Sequence, residues 1–206
     1  MIKTSPYHVN LDHNNEMMIA IQSHSGEIEN GRIEKFININ KLSFILLKNK
    51  YLFINRSVHT SKIRDLCKEN NIKIVEINEK NLHEGINKTA HGFFNIVTYN
   101  IKKFPYVILL ETDCKLSIDW YSVIKKDILG RDFWIYGSDN PASSNLNKML
   151  SINKNGLNLN GVAVYYRTQE FISLIYSVIN TCLNTRRNYD TILSEYIRNI
   201  KKNNKL

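Results

Sequence analysis

The sequence predicts an α/β fold, with a Rossmann-like, mostly parallel sheet and helices on both faces. Segments with strand-like and helix-like patterns alternate through the first half of the chain, and such alternation is typical of a parallel sheet covered by helices. One apolar run, Tyr106–Leu110, has no polar alternation, as expected for a central strand buried on both sides. With no internal repeat and no evident boundary, residues 1–206 are predicted to form a single domain.

The order of the elements follows from the hydrophobic pattern, in which short apolar runs predict strands and a spacing near 3.6 predicts helices. Strands are expected at Met17–Ile21, Tyr51–Ile54, Ile72–Ile77, Tyr106–Leu110, Phe133–Tyr136 and Gly161–Tyr166. Helices are expected around Ile33–Leu42, around Ile63–Cys67 after a cap at Thr60 or Ser61, around Phe93–Ile101, at Trp120–Leu129, and twice after Tyr166. Residues Phe44 to Leu47 could extend the first helix or begin a strand.

Composition favours an anionic partner. The chain of 206 residues has a net charge of +9, which suits nucleic acid, an anionic membrane surface or a nucleotide diphosphate equally well. Part of the excess lies in Arg198–Lys205, which is predicted to be a basic and partly frayed terminus. Charge alone therefore does not select one partner.

The expected location is the cytoplasm. Cys67, Cys114 and Cys182 have neither paired nor metal-type spacing, which favours a reducing compartment. The N-terminus lacks the pattern of a signal peptide, and no uncharged apolar run approaches the about 20 residues that a membrane span needs. We therefore expect a soluble protein without a transmembrane segment, at most attached to a membrane surface.

Two carboxylates follow the apolar run Tyr106–Leu110 with one residue between them, Glu111 and Asp113. Ligands of open parallel sheets bind beyond the carboxyl ends of the strands. Residues i and i+2 of an extended chain lie on the same side, so both carboxylates could bind one hard cation and leave positions for phosphate oxygens. The alternative is a polar strand end in which one acid caps the next helix.

This segment resembles the GT-A class of nucleotide-sugar glycosyltransferases, whose hallmark D-x-D motif would be present as Glu111-Thr112-Asp113. Three later segments are similar to acceptor-side segments of such enzymes and follow in the same order: Trp134–Pro141, Leu159–Tyr165 and Asn188–Thr191. The resemblance covers about Met17 to Ile200. It implies a nucleotide-binding half at about residues 17–115 and an acceptor-side half at about residues 116–200.

The resemblance also implies a donor site with Mn²⁺ or Mg²⁺. Asp113 would bind the metal directly, and Glu111 would bind it through water or contact the ribose. The expected donor-binding set is Ser23, His24, Ser25, Glu111, Thr112, Asp113, Asn160 and Gly161. His24 and Ser25 could instead belong to an exposed turn, and Asn160-Gly161 is also a hairpin signal. No histidine follows His91, so a third metal ligand would come from elsewhere.

Two aspartates are candidates for the general base that deprotonates the acceptor hydroxyl. Asp190 precedes a helical pattern and is expected near a helix N-terminus, where amide dipoles favour the ionised carboxylate. It could equally be an ordinary N-cap. Asp139 could bind an acceptor hydroxyl, or it could begin a turn, since Asp-Asn-Pro is common turn chemistry.

The predicted function is therefore that of a metal-dependent glycosyltransferase, a hexosyl- or related transferase. It would move a sugar from a nucleotide-diphosphate sugar, with a UDP-sugar favoured, to a hydroxyl of a glycan or other acceptor, and no nucleic acid partner is expected. Two alternatives remain open. One is a metal-dependent nuclease that uses Asp113-Cys114-Lys115 as a D-x-K strand end, and the other is a non-catalytic nucleotide-binding or interaction domain.

Two further pairs of residues have simpler explanations. Arg186 and Arg187 could hold phosphates in a bidentate manner, but a solvated helix end is the favoured interpretation. Trp120 and Trp134 lie on periodic apolar positions, which predicts that both pack in the core.

Overall fold

The computed structural model describes residues 17–23, 30–55, 60–77, 88–128, 133–136 and 163–203. The strands in these ranges are β1 (Met18–Gln22), β2 (Lys50–Asn55), β3 (Lys73–Ile77), β4 (Tyr106–Glu111), β5 (Ile135–Tyr136) and β6 (Ala163–Tyr166). The helices are α1 (Arg32–Ile39), α2 (Lys41–Phe44), α3 (Ser61–Glu69), α4 (Lys88–Thr98), α5 (Trp120–Ile128), α6 (Gln169–Thr185) and α7 (Tyr189–Asn203).

The six strands form one mixed sheet in the order β3-β2-β1-β4-β6-β5. Strands β1 to β4 are mutually parallel, while β6 runs antiparallel to both β4 and β5. The chain builds outward from β1 to β3 and then returns to the other side of β1 with β4. This confirms the predicted α/β fold and is consistent with a Rossmann-like sheet. The antiparallel β6 is an addition that the sequence pattern did not predict.

Strand β4 is buried on both faces, as its unbroken apolar pattern predicts. Val107 and Leu109 face one hydrophobic cluster, and Ile108 and Leu110 face another, because successive side chains of a strand point to opposite faces. The first cluster contains residues of α4, α6 and α7, so we call this side the α4 face. The second contains residues of α1, α3 and α5, and we call it the α1 face.

Helix α1 is shorter than its pattern predicts. Ile33, Phe36 and Ile37 are buried as expected, but the helix ends at Ile39 and the four-residue α2 follows Asn40. Leu42 is consequently 67% exposed, so its predicted place on the buried face is wrong. The segment after Phe44 does not begin a strand, since the Leu47 amide closes a turn onto the Phe44 carbonyl at 3.0 Å.

The predicted boundaries of α3 are confirmed. The Thr60 hydroxyl accepts a hydrogen bond from the Ile63 amide at 3.3 Å, which satisfies one of the free donors at the helix start. The helix ends at the Asn70-Asn71 pair, where Asn71 adopts a left-handed φ of 52°. Helix α4, in contrast, ends at Thr98, so Ile101 lies beyond the helical face on which the pattern placed it.

Two buried cations donate to carbonyls at helix ends. The Lys50 ammonium donates to the Phe44 carbonyl at 2.9 Å and to the Asn70 carbonyl at 2.7 Å, and thereby joins α2 to α3. The Arg167 guanidinium donates to the Tyr99 carbonyl at 2.6 Å, just after α4. Burial lowers the pKa of Lys50 and lowers the pKa of Arg167 to about 10. The partial negative charge of helix C-termini stabilises both cations.

Helix α7 includes the first part of the basic terminus. Arg198 is part of α7 and its Nε donates to the Ser194 carbonyl at 3.2 Å, and residues 204–206 lie outside the described part of the chain, so the predicted partial fraying of Arg198–Lys205 stays a prediction. Arg186 caps α6 and is exposed, and Arg187 is exposed and paired with Glu195. The solvated helix end is thus confirmed.

Both tryptophans pack in the core, as predicted. Trp120 is buried in the cluster of the α1 face, and Trp134 packs against the cluster of the α4 face. In the part of the chain that the structure describes, no helix is both long enough and apolar enough to cross a membrane.

Candidate functional site

The candidate site lies where the strand order reverses, at the carboxyl ends of β1 and β4. The register pairs Gln22 at the end of β1 with Glu111 at the end of β4. The next residue, Ser23, leaves the sheet here, and its amide donates to the Phe53 carbonyl of β2 at 3.3 Å. Such reversal points are where doubly wound sheets bind ligands. Two predicted site residues, Ser23 and Glu111, thus lie at the same edge.

The chain turns immediately after Glu111. Glu111 is half-buried, Thr112 is buried and Asp113 is exposed, and the Cys114 amide donates to the Glu111 carbonyl at 3.2 Å. We call residues 111–114 the acidic turn. The expectation that both carboxylates share one side of an extended strand is wrong, because the backbone is no longer extended at Thr112. The two carboxylates nevertheless remain adjacent in one tight turn.

Glu111 continues the row of Val107 and Leu109 and therefore lies on the α4 face. The charge of Glu111 contributes to the pKa of two tyrosines on that face. Burial raises the pKa of Tyr165 on β6, and the nearby Tyr189 and Glu111 raise it further. Burial also raises the pKa of Tyr189, the first residue of α7, with contributions from Asp190 and Glu111. Both phenols therefore stay protonated at neutral pH.

Asp190 is brought to the same region by α7. It is half-buried in the first turn of the helix, where its Oδ1 accepts a hydrogen bond from the Thr191 amide at 2.7 Å. The Ile192 amide donates to the Asn188 carbonyl at 3.2 Å, so Asn188 occupies the cap position and Asp190 lies inside the helix. The predicted placement near a helix N-terminus is confirmed, and the plain N-cap alternative is wrong.

Tyr189 connects Asp190 to the sheet. Its ring stacks on Phe93 of α4 with the ring centroids 4.4 Å apart, and the Phe93 ring also contacts Tyr165 with the centroids 5.4 Å apart. These ring contacts attach the start of α7 to α4 and, through Phe93, to β6.

Asn40 holds the acidic turn from the other side, and the sequence did not single it out. This side chain is fully buried. Its Nδ2 donates to the Phe36 carbonyl at 2.9 Å and to the Cys114 carbonyl at 3.0 Å, and its Oδ1 accepts from the Leu116 amide at 2.8 Å. We call this set of bonds the Asn40 clamp. No local pattern reveals it, because the bonded residues are 74 and 76 positions apart.

Ser43 adds a second connection between α2 and the same loop. Its hydroxyl donates to the Leu116 carbonyl at 3.2 Å, and its own carbonyl accepts from the Trp120 indole at 3.2 Å. The loop from the acidic turn to α5 is therefore attached to the junction of α1 and α2 at several points. Such attachment pre-organises the carboxylate of Asp113 without requiring it to be buried.

Gln22 is a second residue that the sequence did not single out. It is buried and follows Met18 and Ala20 on the α4 face, directly beside Glu111. Helix α4 approaches it closely at Gly92, where a Cβ would lie 2.9 Å from Gln22 Nε2. The glycine therefore makes room for an amide next to the carboxylate.

A cavity of about 570 Å³ borders the acidic turn on the α1 face. Its lining includes Ile108, Leu110, Trp120 and Ile124, with Lys115 as the charged residue among those that line it. The hydrogen bond from the Tyr136 hydroxyl to Asp127 connects β5 to α5 beside it. Because Glu111 and Tyr189 are on the opposite face of the sheet, this cavity does not contain the carboxylates.

The acidic turn contains two carboxylates, Glu111 and Asp113. Among the residues that the structure describes, no group of three or more His, Cys, Asp or Glu side chains could hold a metal ion. Mg²⁺ commonly uses one or two protein carboxylates together with substrate phosphates and water. Glu111 and the exposed Asp113 are two carboxylates of this kind within one turn.

Other predicted site residues fall in parts of the chain that the structure does not describe, namely His24, Ser25, Asp139, Asn160 and Gly161. Their placement remains a prediction. The three cysteines are free thiols, as their spacing predicts.

No protein-family model matches the chain, and no curated protein matches its sequence. The fold and the site geometry therefore define the class: an α/β protein with an acidic turn at the reversal point of its sheet.

Proposed function

We propose that the chain is a metal-dependent glycosyltransferase of the GT-A type, which transfers a sugar from a nucleotide-diphosphate sugar to a hydroxyl acceptor. One observation carries the proposal. The acidic turn, with Glu111 and Asp113, lies at the reversal point between β1 and β4, where doubly wound sheets bind nucleotides. Two carboxylates at a nucleotide site are what a metal-dependent transfer from a nucleotide-diphosphate sugar requires.

The donor diphosphate would bind over the acidic turn. Asp113 is exposed and can reach phosphate-bound cations that arrive from solvent, whereas the half-buried Glu111 is held at the strand end. A divalent cation, when bound, supplies the positive charge that offsets the charge of the leaving diphosphate. Ser23 at the end of β1 would contact the nucleoside. A UDP-sugar remains the favoured donor.

Proton transfer would use Asp190. As the bond between sugar and diphosphate breaks and the bond to the acceptor oxygen forms, the acceptor proton passes to this carboxylate. Asp190 is half-buried in the first turn of α7, next to Tyr189.

A thermal-shift experiment tests the donor site. We expect UDP with Mn²⁺ to raise the melting temperature, UDP with a chelator to raise it less, and GDP, dTDP and CMP to rank below UDP. Asp113→Asn should abolish the metal-dependent part of the shift and also sugar transfer. Asp119→Asn is the matched control, because Asp119 is an exposed aspartate in the same loop.

Three results would decide against the proposal. An equal rise in melting temperature with and without metal would show that the acidic turn does not bind the donor through a metal ion. Equal loss in Asp113→Asn and Asp119→Asn would make the effect nonspecific. Metal-dependent nicking of DNA without any nucleotide shift would favour the nuclease alternative. That alternative is less well supported, because the residue paired with Glu111 on the neighbouring strand is the neutral Gln22 and not another acid.

A further inference from the structure

A group of aliphatic side chains on one side of the molecule is exposed to solvent. Leu46 is 88% exposed, and the others are more than half exposed. We call this group the aliphatic patch: Leu42, Ile45, Leu46, Ile118 and Val123. Single exposed apolar residues are ordinary, but several on adjoining segments mark an interaction surface.

The members of the patch lie on two segments that are bonded to each other. Leu42, Ile45 and Leu46 belong to α2 and the turn after it, while Ile118 and Val123 belong to the loop before α5 and to α5 itself. Ser43, next to Leu42, bonds to both Leu116 and Trp120, which flank Ile118. The two halves of the patch are therefore neighbours.

Positive charge surrounds the patch. Lys41, Lys48, Lys115 and Lys126 are exposed on the same two segments. Between Asn40 and Lys50 there is no acidic residue, and the exposed acids beside the second segment are Asp113 and Asp119. Four exposed lysines thus outnumber two exposed aspartates, in line with the net charge of +9 for the whole chain.

We propose that the aliphatic patch and its lysines form a docking surface for an anionic lipid membrane. Protein–protein interfaces are depleted in lysine, and their strongest contacts come from Trp, Tyr and Arg, whereas this patch consists of Leu, Ile and Val among lysines. Aliphatic side chains that enter the headgroup region, together with lysines near anionic headgroups, are the two elements of interfacial membrane binding. The inference is independent of the proposed reaction.

Docking in this orientation would place the acidic turn close to the membrane. The loop with Ile118 begins directly after the acidic turn, and the Asn40 clamp joins that turn to the segment that bears Leu42. An acceptor held at a membrane surface would therefore meet the site without leaving the lipid plane. No helix has to cross the bilayer for this arrangement.

Vesicle sedimentation of the whole chain tests the proposal. We expect binding to vesicles of phosphatidylcholine with phosphatidylglycerol, weak or no binding to phosphatidylcholine alone, and decreasing binding with added salt. The double variant Ile45→Ser with Leu46→Ser should bind at least tenfold more weakly. Lys41→Gln and Lys48→Gln should each reduce binding on the order of fivefold. The control is Tyr176→Ser, because Tyr176 is 54% exposed on α6, on the other side of the sheet.

The outcomes are distinct. Failure of the unaltered chain to bind anionic vesicles overturns the proposal, and so does an equal loss in Tyr176→Ser and the patch variant. Concentration-dependent dimerisation that the patch variant abolishes, without vesicle binding, would assign the surface to a second copy of the chain and would also overturn it. Thermal melting separates these results from misfolding, because the substituted side chains are exposed and should leave the melting temperature unchanged.

Discussion

Replacement of Asn40 by alanine tests whether the hydrogen bonds of the Asn40 clamp hold the acidic turn in place. Asn40 is fully buried and bonds to Phe36, Cys114 and Leu116. The Phe36 carbonyl also accepts a hydrogen bond from the Asn40 backbone amide at 3.1 Å, so it keeps a partner in the variant. The Cys114 carbonyl and the Leu116 amide lose their bonds to Asn40.

The expected loss follows from these two groups. A buried donor or acceptor that loses its partner costs about 1–3 kcal/mol, so Asn40→Ala should lower the free energy of unfolding by about 2–6 kcal/mol. Asn40→Asp keeps an acceptor for the Leu116 amide but directs a carboxylate oxygen at the carbonyl of Cys114. It should therefore be as destabilising as alanine, despite its similar shape.

Urea denaturation measures the loss, with Asn38→Ala as the control because Asn38 is an exposed residue of α1. Where Asn40→Ala remains folded, its metal-dependent shift with UDP should also be reduced, since Asp113 is no longer fixed. A change of less than about 1 kcal/mol relative to Asn38→Ala would show that neither buried group was orphaned. That result would refute the Asn40 clamp.

Three other predictions concern separate parts of the chain. Asp190→Asn should reduce sugar transfer by a factor on the order of 10² while nucleotide binding survives, and near-normal turnover would make Asp139 the next candidate. Deletion of Lys201–Leu206 should change the melting temperature little, because these mostly polar residues have no apolar face to bury; a large drop would mean that the deleted residues contribute to stability. Burial raises the pKa of Cys67 from 9.0 to about 11, so its protonated form is favoured in the fold. The free energy of unfolding should therefore fall between pH 9 and pH 11, and Cys67→Ala should weaken that fall.

The hydrophobic pattern of the sequence located most of the helices and strands, because the residues that each element buries are apolar. The run Tyr106–Leu110 had no alternation since β4 faces a hydrophobic cluster on each side. Thr60 was recognisable as a cap because the bond that it makes is local. The direction of β6 was not predictable, because a strand of either direction has the same alternation. The exposure of Leu42 was missed because the helix breaks at Asn40, where no glycine or proline marks the end.

The site was predictable only where its chemistry is local. Glu111 and Asp113 were found because two carboxylates follow an apolar strand, but the turn that separates them was not. Asn40 and Gln22 carry no such signal. Each acts through contacts with residues far along the chain, and in an Asn-rich sequence one more asparagine has no significance until the fold places it.

In the part of the chain that the structure describes, the two hydrophobic clusters on either side of the sheet share no side chain. Tyr189 packs on the cluster of the α4 face, whereas the aliphatic patch lies on segments that pack on the α1 face. Substitutions in the patch and at Tyr189 should therefore be energetically additive within about 0.5 kcal/mol, because distant residues without common partners do not couple. Substitutions in the aliphatic patch, which would determine membrane binding, can then accumulate without any change in the residues of the α4 face.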